Sequence, residues 1–274
     1  MEAAADALLA WGQARLRDLP WRRERDPWRI LVAEVMLQQT QVDRVVPKWQ
    51  AFLDVFPTPS SCAAAPLGDV LRLWQGLGYP RRAKHLHATA CAVADRHGGV
   101  VPDRLDALLA LPGVGPYTAR AVLAFAFARD VGVVDTNIAR VLARTAGERL
   151  TAKVAQQRAD RLVPHGEGWL WNQALMDLGA TVCRPAPRCG ACPLAPSCAW
   201  WRAGATDPDP AIGSAGVSGP QAPYAGSRRE ARGAVLRAVH DTPRPVTDFD
   251  ASIVAELAAE GLVTVTGDTV HLPH

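Results

Sequence analysis

Several features that mark membrane, secreted and disordered proteins are scarce in this sequence. No apolar run reaches the roughly 18 residues that a membrane span requires. The N-terminal segment carries acidic residues early and contains no continuous apolar stretch, which argues against a secretory signal. Six cysteines among 274 residues are too few for a disulfide-rich secreted fold. We therefore expect a globular protein of the cytoplasm, with one large domain or two smaller ones.

The charged residues are distributed unevenly along the chain. The net charge is only +3, but residues 1–202 hold 25 lysines and arginines against 18 aspartates and glutamates. Residues 203–274 hold 5 against 9. A basic main body followed by an acidic region predicts that a polyanion such as nucleic acid binds the first part. A solvated surface with a few extra arginines would give the same pattern.

Apolar residues recur at helical spacing over most of the chain, and alternation typical of strands is scarce before residue 260. Caps at Asp26-Pro27 and at Thr40 each open a helix, the second containing Pro47. Further helices are predicted at 69–75, 81–97, 104–111, 117–129, 137–144, 154–162 and 169–182. The main body is therefore predicted to be all-α.

The composition changes after residue 202. Residues 203–226 are rich in glycine, alanine, proline and serine and lack apolar periodicity, so they are predicted to form a linker. Helices at 229–239 and 251–257 follow, and the last residues alternate around Gly267-Asp268 as in a short hairpin. Residues 227–274 are thus predicted to form a small winged-helix-like α+β appendage.

Four of the six cysteines lie within sixteen residues, with the spacing C-x5-C-x2-C-x5-C: Cys183, Cys189, Cys192 and Cys198. Four thiolates can complete a tetrahedral zinc site or hold a [4Fe-4S] cluster. Structural zinc sites usually place two CxxC-like pairs on either side of a longer insert. A single compact loop with one CxxC pair favours the cluster. Cys62 and Cys91 are interpreted as small core residues.

A glycine-rich turn, LPGVG at Leu111–Gly115, separates two predicted helices. Its glycines permit a tight turn that exposes backbone amides at the start of the following helix. Such amides, together with the helix dipole, are natural ligands for a phosphate group. An ordinary turn between two helices is the alternative interpretation.

Two acidic residues, Glu34 and Asp135, are embedded in apolar segments. A carboxylate among hydrophobic side chains is costly to bury, so its pKa rises or it finds a partner. Asp135 could instead be only the N-cap of the helix that follows it. Two such acids beside a phosphate-binding turn make acid-assisted bond cleavage with carboxylate stabilisation plausible.

These features occur in a fixed order that resembles a known family. The motifs are LPWR at Leu19–Arg22, EVMLQQTQV at Glu34–Val42, GLGY at Gly76–Tyr79, LPGVGPYTA at Leu111–Ala119, VDTN at Val134–Asn137, NQALMDLGATVC at Asn172–Cys183 and the cysteine loop. Over about residues 17–200 the chain resembles the helix-hairpin-helix DNA glycosylases with an iron–sulfur loop, and most of all the MutY-type adenine DNA glycosylases. The resemblance implies two helical subdomains with a cleft between them. They are an iron–sulfur subdomain at 1–25 and 131–202, and a barrel subdomain with the helix-hairpin-helix at 26–130.

The resemblance also implies catalytic roles. Glu34 would protonate adenine at N7, and Asp135 would stabilise the oxocarbenium-like sugar or bond to it before water attacks. Tyr117 would hydrogen-bond the catalytic carboxyl groups, and Asn137 would orient Asp135. Since endonuclease III-like relatives carry a Schiff-base lysine at the position of Tyr117, the resemblance implies a monofunctional enzyme that does not cleave the strand efficiently.

The remaining roles implied by the resemblance concern DNA and the cofactor. A base inside a duplex must be flipped out before it can react, and something must fill its place. The DNA-contacting residues would be Gln39, Leu77 and Tyr79 in the base stack, Trp21 and Arg22 in the adenine pocket, and Gly113, Val114 and Gly115 on the backbone. The metal ligands would be Cys183, Cys189, Cys192 and Cys198, holding a [4Fe-4S] cluster. The partner would be double-stranded DNA with adenine opposite 8-oxoguanine or guanine, bound by a monomer at the bacterial nucleoid and not at a membrane.

Two alternatives remain open. One is a thymine or uracil mismatch glycosylase of the same superfamily, which also has tyrosine at the position of Tyr117. Glu34 argues against it, because a pyrimidine has no N7 to protonate. The other is a non-catalytic iron–sulfur DNA-binding protein, against which the intact Glu34 and Asp135 argue.

The appendage does not match the nudix-like domain with which larger MutY proteins read 8-oxoguanine.

Overall fold

The computed structural model describes residues 2–217 and 223–274 and is mostly helical, which confirms the predicted fold class. In these two ranges no helix is both long and apolar enough to cross a bilayer. The chain divides into two compact units, Met1–Pro27 with Pro116–Pro220, and Trp28–Gly115 with Gln221–His274. These boundaries differ from the predicted ones, because helix 116–125 groups with the first unit and the appendage groups with residues 28–115.

The first unit is built around one central helix. Its helices are α1 (Glu2–Arg15), α8 (Pro116–Phe125), α9 (Thr136–Ala146), α10 (Ala152–Leu162), α11 (Gly168–Thr181) and α12 (Ala199–Arg202). Helix α11 packs against both α1 and α9. The contact with α9 is close because position 179 is glycine: a Cβ there would lie 2.6 Å from the Cβ of Asn137. This approach fixes the N-terminal end of α9, where Asp135 lies.

The second unit begins with six helices: α2 (Pro27–Leu37), α3 (Val42–Val55), α4 (Pro59–Ala63), α5 (Leu67–Trp74), α6 (Arg81–His97) and α7 (Leu105–Leu109). Helix α6 packs against α4 and α5. The core side chains of α3 recur at helical spacing, and Phe52 meets Trp74 of α5 edge-on at 6.4 Å between ring centroids. Helix α3 runs through Pro47 without interruption.

The appendage belongs to the same unit. It contains α13 (Arg228–Ala238), β1 (Arg244–Pro245), α14 (Ala251–Ala259), β2 (Thr264–Thr266) and β3 (Thr269–His271). The three strands form an antiparallel sheet in the order β1-β3-β2, with Gly267 at φ +58° in the hairpin turn. Side chains of Ser227 and Asp250 cap the two helices. The predicted helices and hairpin are confirmed, and β1 completes the small sheet.

Two expectations about local structure were wrong. Thr40 does not cap α3, which has Gln41 at its N-cap without a side-chain hydrogen bond. The Thr40 hydroxyl instead contacts the carbonyl oxygen of Leu77 at 3.2 Å. The segment predicted as a linker, 203–226, packs on the first unit over its first half. Asp209, Pro210, Ala211 and Ser214 are buried there, while residues 218–222 lie outside the described part of the chain.

Candidate active site

Asp135 is held in a fixed orientation at the N-terminus of α9. One carboxylate oxygen accepts a hydrogen bond from the backbone N–H of Ile138 at 2.7 Å, and the other accepts one from the amide of Asn137 at 2.9 Å. Burial raises the pKa of Asp135, and these two hydrogen bonds only partly offset that effect. Asp135 is therefore the N-cap of the helix that follows it, which was one of the two interpretations of the sequence. Its carboxylate is also desolvated.

A chain of hydrogen bonds runs from Asp135 to the beginning of the cysteine loop. The Asn137 side-chain oxygen accepts from the Arg140 guanidinium at 2.8 Å. Arg140 also donates to the carbonyl oxygens of Gly179 at 2.8 Å and Cys183 at 2.6 Å. Asn137 is thereby fixed with its amide donor toward Asp135, so the orientation of the carboxylate depends on the packing of α11.

The other predicted catalytic residues lie on helices. Glu34 is in α2, within the second unit, and is only 4% exposed. Tyr117 is half-buried in the first turn of α8, within the first unit. The two candidate acids therefore belong to different units of the chain, each on a well-packed helical segment.

Gln39 and Tyr79, the predicted wedge residues, lie in two loops of the second unit. Both have left-handed backbone conformations, with φ +55° and +50°, which are uncommon for residues other than glycine. Gln39 is exposed and Tyr79 is half-buried. Leu77, by contrast, is 2% exposed, and its carbonyl oxygen is a hydrogen-bond acceptor within the loop. Its side chain is part of the core in this structure.

Arg82, which the sequence analysis did not single out, connects these two loops. One guanidinium nitrogen donates to the carbonyl oxygens of Val35, Met36 and Gln38, and the other to Thr40 Oγ1 and the carbonyl oxygens of Leu77 and Gly78. Burial lowers the pKa of Arg82 to about 10, which leaves it charged at neutral pH. The one sequence signal that could have identified Arg82 is its position in the first turn of α6, shortly after GLGY.

The glycine-rich turn packs on the same helix. Gly113 has φ +72°, and a Cβ there would lie 2.5 Å from the Cβ of His85. Thr89 Oγ1 donates to the carbonyl oxygen of Pro112 at 2.6 Å. Val114 is buried, and its N–H donates to Leu111 within the turn, whereas Gly115 has open space around it. Helix α6 thus supports all three loops predicted to contact DNA.

Trp21 and Arg22 lie in a short 3₁₀ helix, Pro20–Arg22, of the first unit. Both side chains are buried. The Arg22 guanidinium donates to the two oxygens of Asp177, at 2.7 and 2.9 Å. Burial by itself would raise the pKa of Asp177, but the hydrogen bonds from Arg22 and Arg17 hold it below its ordinary value. This bidentate pair attaches the LPWR segment to α11.

All four loop cysteines line one partly open pocket. Burial raises the pKa of Cys192 to about 11, and burial and the neighbouring Cys183 and Cys198 raise the pKa of Cys189. Thiolates crowded into such a pocket need a cationic group to remain deprotonated. The donor set therefore fits a metal group held by thiolates. In the part of the chain that the structure describes, no three His, Cys, Asp or Glu side chains are grouped tightly enough for a single metal ion.

Arg144 of α9 supports the cysteine loop. It is 2% exposed, and its guanidinium approaches the Cys183 sulfur at 3.4 Å and donates to the carbonyl oxygen of Arg184. Asp209, from the segment predicted as a linker, forms an ion pair with it. Burial would raise the pKa of Asp209, but hydrogen bonds from Arg144 and the N–H of Ala211 hold it below its ordinary value. The segment is thus a structural part of the cysteine-loop region.

Replacing Asp209 with alanine should destabilise the first unit by about 3 kcal/mol, because it leaves the buried Arg144 charge without its carboxylate. Chemical denaturation of the purified protein would measure this loss. The exposed Asp207, two residues earlier, provides the matched alanine control. Equal stabilities of the two variants would show that the ion pair contributes nothing.

Comparison with known proteins decides the family. Residues 32–165 match the HhH-GPD superfamily of base excision DNA repair proteins. The chain is 45% identical over 283 residues to the adenine DNA glycosylase of Mycobacterium tuberculosis, an alignment that covers 95% of this chain and 90% of that protein. The chain belongs to the adenine DNA glycosylase family.

Other members of the superfamily show where the similarity ends. The human adenine DNA glycosylase is 41% identical over 208 residues, which cover 70% of this chain and 38% of that protein. The solved structure of a thermostable thymine-DNA glycosylase covers 73% of this chain and 95% of its own, with 32% identity and a TM-score of 0.70. The alignment with the mycobacterial adenine DNA glycosylase thus covers a larger share of this chain than the alignment with the human enzyme or with the thymine-DNA glycosylase.

Proposed function

We propose that this protein excises adenine from double-stranded DNA in which the adenine is mispaired with 8-oxoguanine or guanine. The observation that carries the proposal is the Asp135 carboxylate, half-buried and oriented by Ile138 and Asn137. A desolvated, fixed carboxylate stabilises a developing positive charge far better than a solvated one. Breaking the N-glycosidic bond of a nucleotide produces such a charge on the sugar.

The reaction would begin with the adenine flipped out of the duplex, with Gln39 and Tyr79 occupying the disturbed stack. Glu34 would then donate a proton to N7, so that the base leaves as neutral adenine. Asp135 would stabilise the oxocarbenium-like sugar until water attacks, or form a transient bond to it. Tyr117 would assist the carboxyl groups, and as a phenol it offers no amine for a Schiff base. The strand would therefore remain intact.

The four cysteines would hold a [4Fe-4S] cluster. Its contribution, when bound, would be to cross-link the loop that follows α11. The four thiolates that line one pocket would be its ligands. Arg140 and Arg144 would fix the loop to α9 through its backbone carbonyls and the Cys183 sulfur.

The purified protein should be yellow-brown, with broad visible absorbance and about four irons per chain, because four thiolates ligate this cluster. Elemental analysis together with an absorbance spectrum would check this. The serine variant of Cys192 should lose colour and iron, whereas the serine variant of Cys62, a buried cysteine outside the loop, should keep both. A colourless protein with one zinc per chain would contradict the cluster.

A panel of duplexes tests the proposed function. Adenine would be placed opposite 8-oxoguanine, guanine or thymine, and thymine or uracil opposite guanine, with free base and abasic sites as the readouts. We expect release of adenine from its two mispairs alone. Release of thymine or uracil would instead support the mismatch glycosylase. The 32% identity between this chain and the thermostable thymine-DNA glycosylase supports that second candidate. Binding without release of any base would support a non-catalytic protein.

A further inference from the structure

The appendage, residues 227–274, is attached to the helices that carry the loops predicted to contact DNA. Arg72 of α5 donates to the carbonyl oxygen of His240 at 2.8 Å. The backbone N–H of Gly68, also in α5, donates to the carbonyl oxygen of Pro273 at 2.9 Å. A Cβ at Gly68 would lie 2.3 Å from this Pro273 oxygen, so only glycine allows the contact. The appendage is therefore fixed to α5 at two points, one just after α13 and one at its C-terminal end.

A second attachment joins the appendage to α6, the helix that supports the three loops. The Glu260 carboxylate pairs with Arg81 of α6 at 2.8 Å and with Arg232 of α13 at 2.6 Å. Lys84 donates to the Glu260 carbonyl oxygen. Helix α13 is thus held beside the first turn of α6, immediately after Tyr79 in the chain.

Arg229, in the first turn of α13, contacts Tyr79 directly. Its guanidinium donates to the phenol oxygen of Tyr79 at 3.1 Å. The position of Arg229 is well defined, since Ser227 caps the helix and the N–H of Gly226 donates to Glu230 at 2.6 Å. The neighbouring Arg228, in contrast, pairs with Glu256 inside the appendage.

Tyr79 is therefore held at both ends. Arg82 binds the carbonyl oxygens of Leu77 and Gly78 and so fixes the backbone that precedes Tyr79 in its left-handed conformation. Arg229 fixes the far end of the ring, at the phenol oxygen. A side chain that must enter a base stack loses less conformational entropy on binding when it is oriented beforehand.

We propose that Arg229 is a positioning residue for Tyr79, and that the appendage thereby takes part in the capture of mispaired DNA. This inference rests on the proposed function, in which Tyr79 enters the disturbed base stack. It assigns a role in recognition to a region whose own sequence shows no such role. The effect should fall on binding and stack opening, because neither residue touches the reacting bond in the proposed mechanism.

The test compares Arg229→Ala, Arg229→Lys, Tyr79→Phe and the Arg229→Ala/Tyr79→Phe double variant in the full-length protein, with Arg228→Ala as the matched control. Two dissociation constants are measured, one for a duplex with a non-hydrolysable 2′-fluoro adenosine opposite 8-oxoguanine and one for a fully paired duplex. Fluorescence of 2-aminopurine beside the target reports stack opening, and single-turnover adenine release at saturating protein reports the chemical step.

Arg229→Ala and Tyr79→Phe should each lower the preference for the mispair about tenfold, the effect of losing one hydrogen bond to a charged group. Both should reduce the 2-aminopurine signal, and the single-turnover rate should fall by no more than this loss of opening, because the base reacts only once it is flipped out and the reacting groups are unaltered. The double variant should be no worse than either single variant. Arg229→Lys should recover part of the preference, and Arg228→Ala should keep all of it.

Two results would overturn the inference. One is a mispair preference for Arg229→Ala equal to that for Arg228→Ala, and the other is additive losses in the double variant. Tyr79→Phe keeps the appendage unaltered, so it tests the same hydrogen bond even if Arg229→Ala disturbs folding. A wild-type protein without mispair preference would overturn the proposed function as well, which distinguishes the two failures.

Discussion

Replacing Asp135 with asparagine should lower the single-turnover rate of adenine release about 10³-fold or more. The substituted amide is nearly isosteric, but it carries no negative charge to face the developing cation on the sugar. Fixed electrostatic groups of this kind are worth about 10²–10³-fold each. The asparagine oxygen can still accept from the Ile138 N–H, so the cap of α9 should survive.

A second loss adds to this effect in the same variant. The amide of Asn137 donates to Asp135, and its oxygen is already used by Arg140. The new amide N–H at position 135 would therefore face the N–H donor of Asn137. Two donors repel each other, so the substituted amide group would rotate away from the orientation that the Asp135 carboxylate has. Thermal unfolding and binding to the non-hydrolysable duplex should remain close to wild type. A rate within tenfold of wild type would contradict the role of Asp135.

The raised pKa of Asp135 adds a pH dependence. Burial favours the protonated form, so the carboxylate should be neutralised at a pH above the ordinary range of an aspartate. Adenine release should consequently fall as the pH is lowered toward that raised value, while DNA remains bound. The pH profile of the single-turnover rate measures this effect.

Glu34→Gln should reduce adenine release about 10²–10⁴-fold, the usual contribution of a general acid. Glutamine could still hydrogen-bond N7 of adenine but could not deliver a proton. Glu34 is only 4% exposed and follows the buried Ala33 in α2, so the isosteric change should leave packing intact. The measurement is the single-turnover rate, with circular dichroism as the check on folding.

A matched control for this variant lies on the neighbouring loop. Gln38→Glu adds a carboxylate near the end of α2 without altering Glu34. When it is combined with Glu34→Gln, it should not restore adenine release, because the proton must be delivered to N7 from position 34. Near wild-type release by Glu34→Gln alone would show that another group is the acid.

Much of the fold could be predicted from the sequence, because helical spacing and capping residues are local signals. Helix α6 begins and ends at the residues predicted, 81–97, where Gly98 adopts the left-handed conformation typical of a helix C-terminus. The hairpin around Gly267 was predicted from alternation and a turn residue. These elements owe little to distant parts of the chain.

Other features depend on contacts between segments far apart in sequence. Thr40 reads as a cap, yet its hydroxyl is used by the GLGY loop and by Arg82. Residues 203–217 have the composition of a linker, yet Asp209 pairs with the buried Arg144, and Ser214 accepts a hydrogen bond from the N–H of Leu150. The hydrogen bond from Arg229 to Tyr79 joins residues 150 positions apart. No local pattern predicts any of these contacts.

The central claim is that the protein releases adenine from a mispair after protonation of the base at N7. Its most direct test measures free base from two duplexes that differ at one atom, one with adenine and one with 7-deazaadenine opposite 8-oxoguanine. The account predicts release of adenine, and no release of 7-deazaadenine, which has no N7 to protonate. Release of both bases at similar rates, or of neither, would contradict it.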